Sequence, residues 1–218
     1  MHEKAKTTKA TTATSTLDWR LRTFELYSEV RALMESGDRT GAHALWIRQR
    51  NSLFATHAAS ALDPEKKKRF RGLRVSDYDA NFSFESTLLE EGAGEEMLVR
   101  TGTDGSVPFE RIGTFRIPGI GSLAAWQLRS YGGGIFLPFR DAGSGQPGGS
   151  YGAGRYLLDT IKGAFLGRVG DAFILDFNFA YNPSCAYDET WACPLPGPHN
   201  RLATEISVGE LYLPELAP

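Results

Sequence analysis

The chain has 218 residues, 41% hydrophobic and 23% charged, with 24 Lys and Arg against 26 Asp and Glu and a formal net charge of −2. A chain of this size buries enough apolar surface to hold a core without disulfide or metal support, and its charge balance gives no global pull toward nucleic acid or anionic membrane. No run is apolar enough to span a bilayer and the N-terminus has no apolar secretory segment, so a cytoplasmic location is expected.

Met1 to Ser15 is rich in Lys, Thr and Ala and poor in branched apolar side chains. Such a stretch cannot offset the entropy of its own ordering, and a flexible tail over 1–15 is expected. Ser15-Thr-Leu-Asp18 resembles a capping box, after which Leu17, Leu21, Phe24, Tyr27, Val30 and Met34 recur at helical spacing up to Gly37. A second helix is expected from Gly41 to His57, with Leu45, Trp46, Leu53 and Phe54 on its apolar face and Arg48 and Arg50 opposite. The short connection between the two makes them an antiparallel pair. Asp63-Pro64-Glu65 supplies an N-cap, a proline at the first helical position and an acidic first turn for a short third helix ending at Gly72. Lys66, Lys67, Lys68, Arg69, Arg71 and Arg74 form a basic cluster around Phe70, but no stacking aromatics or binding motif accompany it, so a solvated turn is preferred to a nucleic-acid site.

From Asn81 the hydrophobic period changes to two. Phe82 and Phe84 alternate with polar residues, Glu91 to Gly94 turns, and Thr103-Asp-Gly105 signals a hairpin after Met97–Arg100. Short strands over 111–117, 122–130 and 135–139 follow, joined by connections too short for parallel crossovers. Strands over 173–178 and 204–213 would complete the sheet. Trp126 falls in step with Ala124 and Leu128 and reads as core. The expected fold is α+β, with helices over 16–75 packed on a curved antiparallel sheet over 80–218. A meander, barrel or half-barrel fits, in a single domain with long ordered C-terminal loops.

The chemistry concentrates after residue 139. In Phe173–Asn178, strand alternation puts Asp176 and Asn178 on one face, and Gly152 and Gly154 let Arg155 approach closely enough to form a bidentate bond with Asp176. Whether that pair serves a ligand or merely locks a loop stays open. Tyr151-Gly-Ala-Gly-Arg-Tyr156 lacks the signatures of nucleotide loops, and Ser144 lacks a nucleophile-elbow context. Cys185, Cys193 and His199 do not have zinc-site spacing, and neither a metal nor another cofactor is called for. Burial as small apolar groups, a loop disulfide and nucleophile chemistry at Cys185 are the alternatives for the thiols. Tyr181, Tyr187, Trp191 and four prolines imply an ordered cover over one end of the sheet, with Asn182 and Asn200 as backbone-bonding pins.

With these segments in view, the chain resembles the prokaryotic family known as domain of unknown function 1684. The resemblance rests on Leu137–Ala142, Ser144-Gly145, Tyr151–Leu157, Leu175–Asn178, Ala180–Pro183, Cys185–Tyr187, Cys193–Leu195, Asn200–Leu202 and Gly209-Glu210. Departures are Gly143 in place of Thr, a lengthened loop over 146–149, Ala153 in place of Gly, and His199 where an acid is usual. The resemblance implies a shared architecture and loop site and carries no reaction. It adds Arg140 and Asp141 to Tyr151, Arg155, Asp176, Asn178, Asn182 and Tyr187 as candidate ligand contacts. The leading expectation is a small polar molecule bound at the mouth of the sheet. The alternatives are a hydrolase or lyase with Asp176 as general base, and a structural or interaction domain, in which a homodimer forms.

Overall fold

The structure is a computed structural model that describes residues 9–101, 105–191 and 193–217. Helix α1 spans Lys9–Glu35, α2 Arg39–Thr56 and α3 Pro64–Arg69. The cap acts as the sequence predicts for α3, while α2, expected from Gly41, starts at Arg39 behind a cap at Asp38. Asp38 accepts from the Gly41 N–H, and Asp63 accepts from the Glu65 and Lys66 N–H groups, which would otherwise be orphaned at the helix starts. At α1 the expectation fails. The helix runs through Ser15–Asp18, and Lys9–Ser15, read as tail, is helical. Asp18 pairs instead with Arg22 and with His57 of α2, each at 2.9 Å.

The helical face of α1 also differs from the expected one. Leu26, Tyr27, Val30 and Met34 are buried, and Trp19 packs edge-on against Phe54. Leu17, Leu21 and Phe24 stand on the opposite side of the cylinder, 57%, 52% and 47% exposed. At 100° per residue these three lie within a narrow sector roughly opposite Leu26. The two apolar rows are therefore separate stripes, which the single run of i, i+3, i+4 spacings had merged. Helices α1 and α2 pack antiparallel, with Trp46 fully buried and its indole N–H donating to the Tyr27 hydroxyl at 3.1 Å.

Eight strands follow: β1 Ser83–Leu89, β2 Glu96–Thr101, β3 Gly105–Ile117, β4 Gly121–Leu128, β5 Ile135–Phe139, β6 Arg155–Asp159, β7 Arg168–Val169 and β8 Ala172–Asp176. All pair antiparallel, in the order β6-β5-β4-β3-β1-β8-β7, with β2 beside β3. The result is one open, curled sheet. Its curl follows from β3, which carries β4 along one edge and, along the other, first β2 and then the end of β1. A bulge between Arg111 and Gly113 bends β3 there. The Thr103-Asp signal lies outside the described residues, although β2 and β3 do pair as the hairpin requires.

Two expectations about strands are corrected. Residues 204–213 do not form a strand. They run irregularly and make one isolated bridge, Glu210 to Val75 in the segment after α3. Arg155 and Tyr156, read as the end of the glycine-rich run 151–156, instead begin a fully buried strand, Arg155–Asp159, beside β5. The main core lies inside the curl, built from Phe115, Leu123, Leu137, Phe139, Leu175 and Phe177 among others. Trp126 is core as expected, 2% exposed.

Gly113 has φ +152, and a Cβ there would lie 2.1 Å from the Leu89 carbonyl oxygen on β1. Gly113→Ala should therefore force β1 off β3 at the corner of the sheet and cost about 1–3 kcal/mol, the scale of a strained backbone residue. The shift in urea midpoint at unchanged m-value measures it.

Candidate functional site

The expected Arg155–Asp176 pair does not form. Arg155 leaves β6 pointing into the protein and is 0% exposed. One Nη donates to Asp141 Oδ2 at 2.9 Å and to the Ile206 carbonyl at 2.7 Å, and the other to the Val208 and Glu210 carbonyls. The guanidinium also lies 5.0 Å from the Phe139 ring centroid. Asp176 sits elsewhere and is likewise 0% exposed. The correction has a backbone cause. The irregular 204–211 segment brings three carbonyls to Arg155, and the loop after β5 folds Asp141 onto the same group.

Asp141 is the hub of this cluster. Its Oδ2 accepts from Arg155, from Ser150 at 2.9 Å and from Ser144 at 3.1 Å, while Oδ1 accepts from the Gly143 N–H at 2.9 Å and the Ile206 N–H at 3.4 Å. Burial alone would raise its carboxyl, but Arg155 and these hydrogen bonds hold it below the ordinary aspartate value. Ser144 performs turn chemistry here, its hydroxyl shared among Asp141 and Ser150. Gly154 permits the approach as predicted: its φ is +97 and a Cβ would meet the Phe139 carbonyl at 2.5 Å. Gly152 has only ordinary contacts.

Glu210 and Arg50 were missed as partners. Glu210 is fully buried and ion-paired with Arg50 of α2, while the Asn182 N–H donates to the same carboxylate oxygen at 3.3 Å. Arg50, placed by sequence on the polar face of its helix, stacks over Trp46 at 4.8 Å, Tyr181 at 5.0 Å and Phe54 at 5.4 Å. Burial pushes the Glu210 carboxyl up despite Arg50. Glu210 Oε1, Asn182 Oδ1 and the Nε atoms of Arg50 and Arg155 are buried without a hydrogen-bond partner. The signal available in sequence was the Gly209-Glu210 pair closing the family pattern, which names a position but no partner.

Asp176 and Asn178 are adjacent, though through a different geometry from strand alternation. The strand ends at Asp176, and Phe177–Phe179 form a 3-10 turn that Asp176 caps. Its Oδ1 accepts from the Asn178 N–H at 3.0 Å and from Asn178 Nδ2 at 2.7 Å, and Tyr78 donates to Oδ2 at 3.2 Å. Asn178 exchanges two bonds of 2.8 Å with the Asp79 main chain, and its carbonyl meets His43 Nε2 at 3.0 Å. Burial raises the Asp176 carboxyl above its usual value. This cluster pins the β8 end to the α2 side and to the 75–80 segment.

The remaining candidates do not converge on either cluster. Arg140 contributes its main chain, bonded to Asn200 and Leu202. Tyr151 donates to the Cys185 carbonyl at 3.2 Å and stacks obliquely with Tyr212. Tyr187 is buried against Phe54 at 5.0 Å. Asn182 reaches Glu210 as described, and Asn200 pins β4 and β5 by donating to the Ala124 and Pro138 carbonyls at 2.8 Å each. His199 faces Glu95 at 3.3 Å. The leading surface hollows lie away from all of these. One, of about 380 Å³, is bordered by Asp18 and His57, and the other, of about 470 Å³, by Arg116 to Ser122.

Removing one partner of a buried ion pair strands the other. Arg155→Ala should cost about 3–5 kcal/mol in urea unfolding or abolish folded expression. Asp141→Asn tests the sign of the electrostatics. A depressed aspartate stabilises above its unfolded value and loses that contribution as pH falls through its lower folded value. The wild-type urea midpoint should drop steeply below about pH 4, and the Asn variant, less stable at pH 7, should show a shallower acid limb.

The wider comparisons come down on the same segments. Among curated proteins none matches the chain. The solution NMR structure of an uncharacterised protein from gene locus rrnAC0354 of Haloarcula marismortui is similar, at 30% identity and TM-score 0.56, over 82% of this chain and 96% of that one. The family model described as "Protein of unknown function (DUF1684)" matches residues 68–211, more than half of the chain, which includes Asp141, Arg155, Asp176 and Glu210 and leaves out α1 and α2. The chain belongs to the DUF1684 family.

Proposed function

We propose that this chain is a non-catalytic interaction domain that associates with a second copy of itself through the outward face of α1. The observation that carries the reading is the row Leu17, Leu21 and Phe24, roughly half exposed on the side of the helix opposite its core stripe. Phe24 rests against Gly163, but about half of each side chain stays in water, and a facing row would bury that remainder at about 25 cal/mol per Å² of apolar surface. Charge favours two parallel helices. With Leu17, Leu21 and Phe24 along the seam, Arg20 flanks one side and Glu25 the other, both exposed. That spacing lets each Arg20 reach the partner's Glu25 in a parallel pair, while an antiparallel pair sets like flanks together.

The small-molecule and hydrolase readings draw less support. Arg155, Asp176 and Asn178 are each 0% exposed and engaged by protein groups, so none presents a free face to a substrate. A carboxyl closed in this way has no route to act as a general base. One observation still favours a polar guest: the unpartnered buried atoms of Glu210, Asn182 and Arg50. A ligand there would have to enter through the Arg50 edge, where the side chain keeps 11% exposure.

Light scattering on the eluted full-length protein tests association. The chain should run as a dimer at micromolar concentration, Leu21→Glu should yield a folded monomer with an unchanged circular dichroism spectrum, and Arg20→Glu should weaken the dimer until Glu25→Arg restores it. A wild-type monomer at high concentration contradicts the proposal.

A further inference from the structure

Cys185 and Cys193 sit together at the edge of the proline-bearing cover, each half-buried, and neither is in a disulfide. The Cys185 N–H donates to Cys193 Sγ at 3.4 Å, which brings that sulfur against the Cys185 residue itself. Cys185 is the middle residue of the short turn Ser184–Ala186, which follows Pro183, and its carbonyl accepts from the Tyr151 hydroxyl at 3.2 Å. Cys193 precedes Pro194, whose carbonyl accepts from the Tyr156 hydroxyl at 2.7 Å. Both sulfurs are thus held by neighbours that are themselves anchored in the sheet. Two structural thiols filling a core would be closed off from solvent, and these are not.

We propose that Cys185 and Cys193 form a reversible dithiol that a peroxide converts to an intramolecular disulfide across the 185–193 loop. In the first step the Cys193 thiolate attacks one oxygen of the peroxide. The O–O bond breaks, the departing oxygen leaves as hydroxide and takes a proton to become water, and Cys193 becomes a sulfenic acid. In the second step the Cys185 sulfur attacks the Cys193 sulfur. The S–S bond forms as the S–O bond breaks, and the leaving oxygen departs as water with the Cys185 proton. Two thiols are oxidised by two electrons, and one peroxide is reduced to two waters.

The surroundings assign the roles. Cys193 is the attacking sulfur because the Cys185 N–H donates to it, and Lys162 favours its charged form further. Its thiol is pulled down to about 6, while Cys185, the donor, is pushed up. Tyr151, 4.0 Å from Cys185 Sγ, faces the resolving sulfur. Oxidation would close the loop that carries the exposed Trp191, and so alter the surface of the cover without touching the Arg155 cluster.

The test is a thiol count and peptide map of the folded full-length protein. Reduced protein should show two titratable thiols, react with iodoacetamide first at Cys193, and lose both thiols to stoichiometric hydrogen peroxide. The product should have the mass of one chain less two hydrogens and a tryptic link between the Cys185 and Cys193 peptides, and dithiothreitol should return both thiols. With Cys185→Ser the sulfenic acid on Cys193 has no resolving partner, so dimedone labelling of Cys193 should rise several-fold over wild type. Survival of both thiols in peroxide overturns the proposal. Oxidation that yields only interchain disulfides or sulfinic acid, or equal iodoacetamide rates at the two cysteines, does so as well.

Discussion

The fold of the C-terminal half turns on a single buried cation. The Arg155 guanidinium is removed from water entirely, and such a transfer is tolerable only when nearly every donor finds an acceptor and the charge finds a counterion. Asp141 supplies the charge, and the carbonyls of Ile206 and Val208 supply much of the rest. The last point explains an otherwise odd feature of the architecture. Residues 204–211 lie against the sheet without strand pairing along their length, because their carbonyls point at a side chain and away from a neighbouring strand. The ionic cluster thus replaces a ladder, and the loop after β5, the strand β6 and the C-terminal segment are tied at one point.

A second ion pair joins the family-matched region to the helical layer outside it. Glu210 lies within the matched region and Arg50 lies outside it, on α2. Their contact, with Arg50 stacked among Trp46, Phe54 and Tyr181, fastens the helical layer to the sheet more firmly than apolar contact alone would. The helices then present to solvent a face of α1 unrelated to the core.

Much of the architecture was legible in sequence because it depends on local signals. The cap at Asp63, the period-two strands and the core position of Trp126 follow from spacing and residue type, and the structure reproduces them. The site was less legible because its determinants are long-range. That Arg155 needed a carboxylate was readable. That the carboxylate would be Asp141 at a separation of 14 residues, with the 206–208 carbonyls more than 50 residues away, was not. Asp176 and Asn178 were correctly placed side by side, but a 3-10 turn rather than strand alternation does it. Arg50 shows a further limit. Helical periodicity labels it polar and therefore outward, and only the aromatic rings brought by α2 and the 179–181 segment reveal that it points in. The two apolar stripes of α1 could not be separated while the register of the helix against α2 was unknown.

Arginine side-chain NMR of labelled full-length protein addresses the central interaction directly. The account predicts separately resolved Nη hydrogens for Arg155, protected from solvent exchange far longer than those of exposed arginines such as Arg20 or Arg116, with through-space contacts to Asp141 and Val208. A single averaged Arg155 signal exchanging at the rate of a solvated guanidinium would mean that the cluster is open in solution, and the account of the C-terminal half would be wrong.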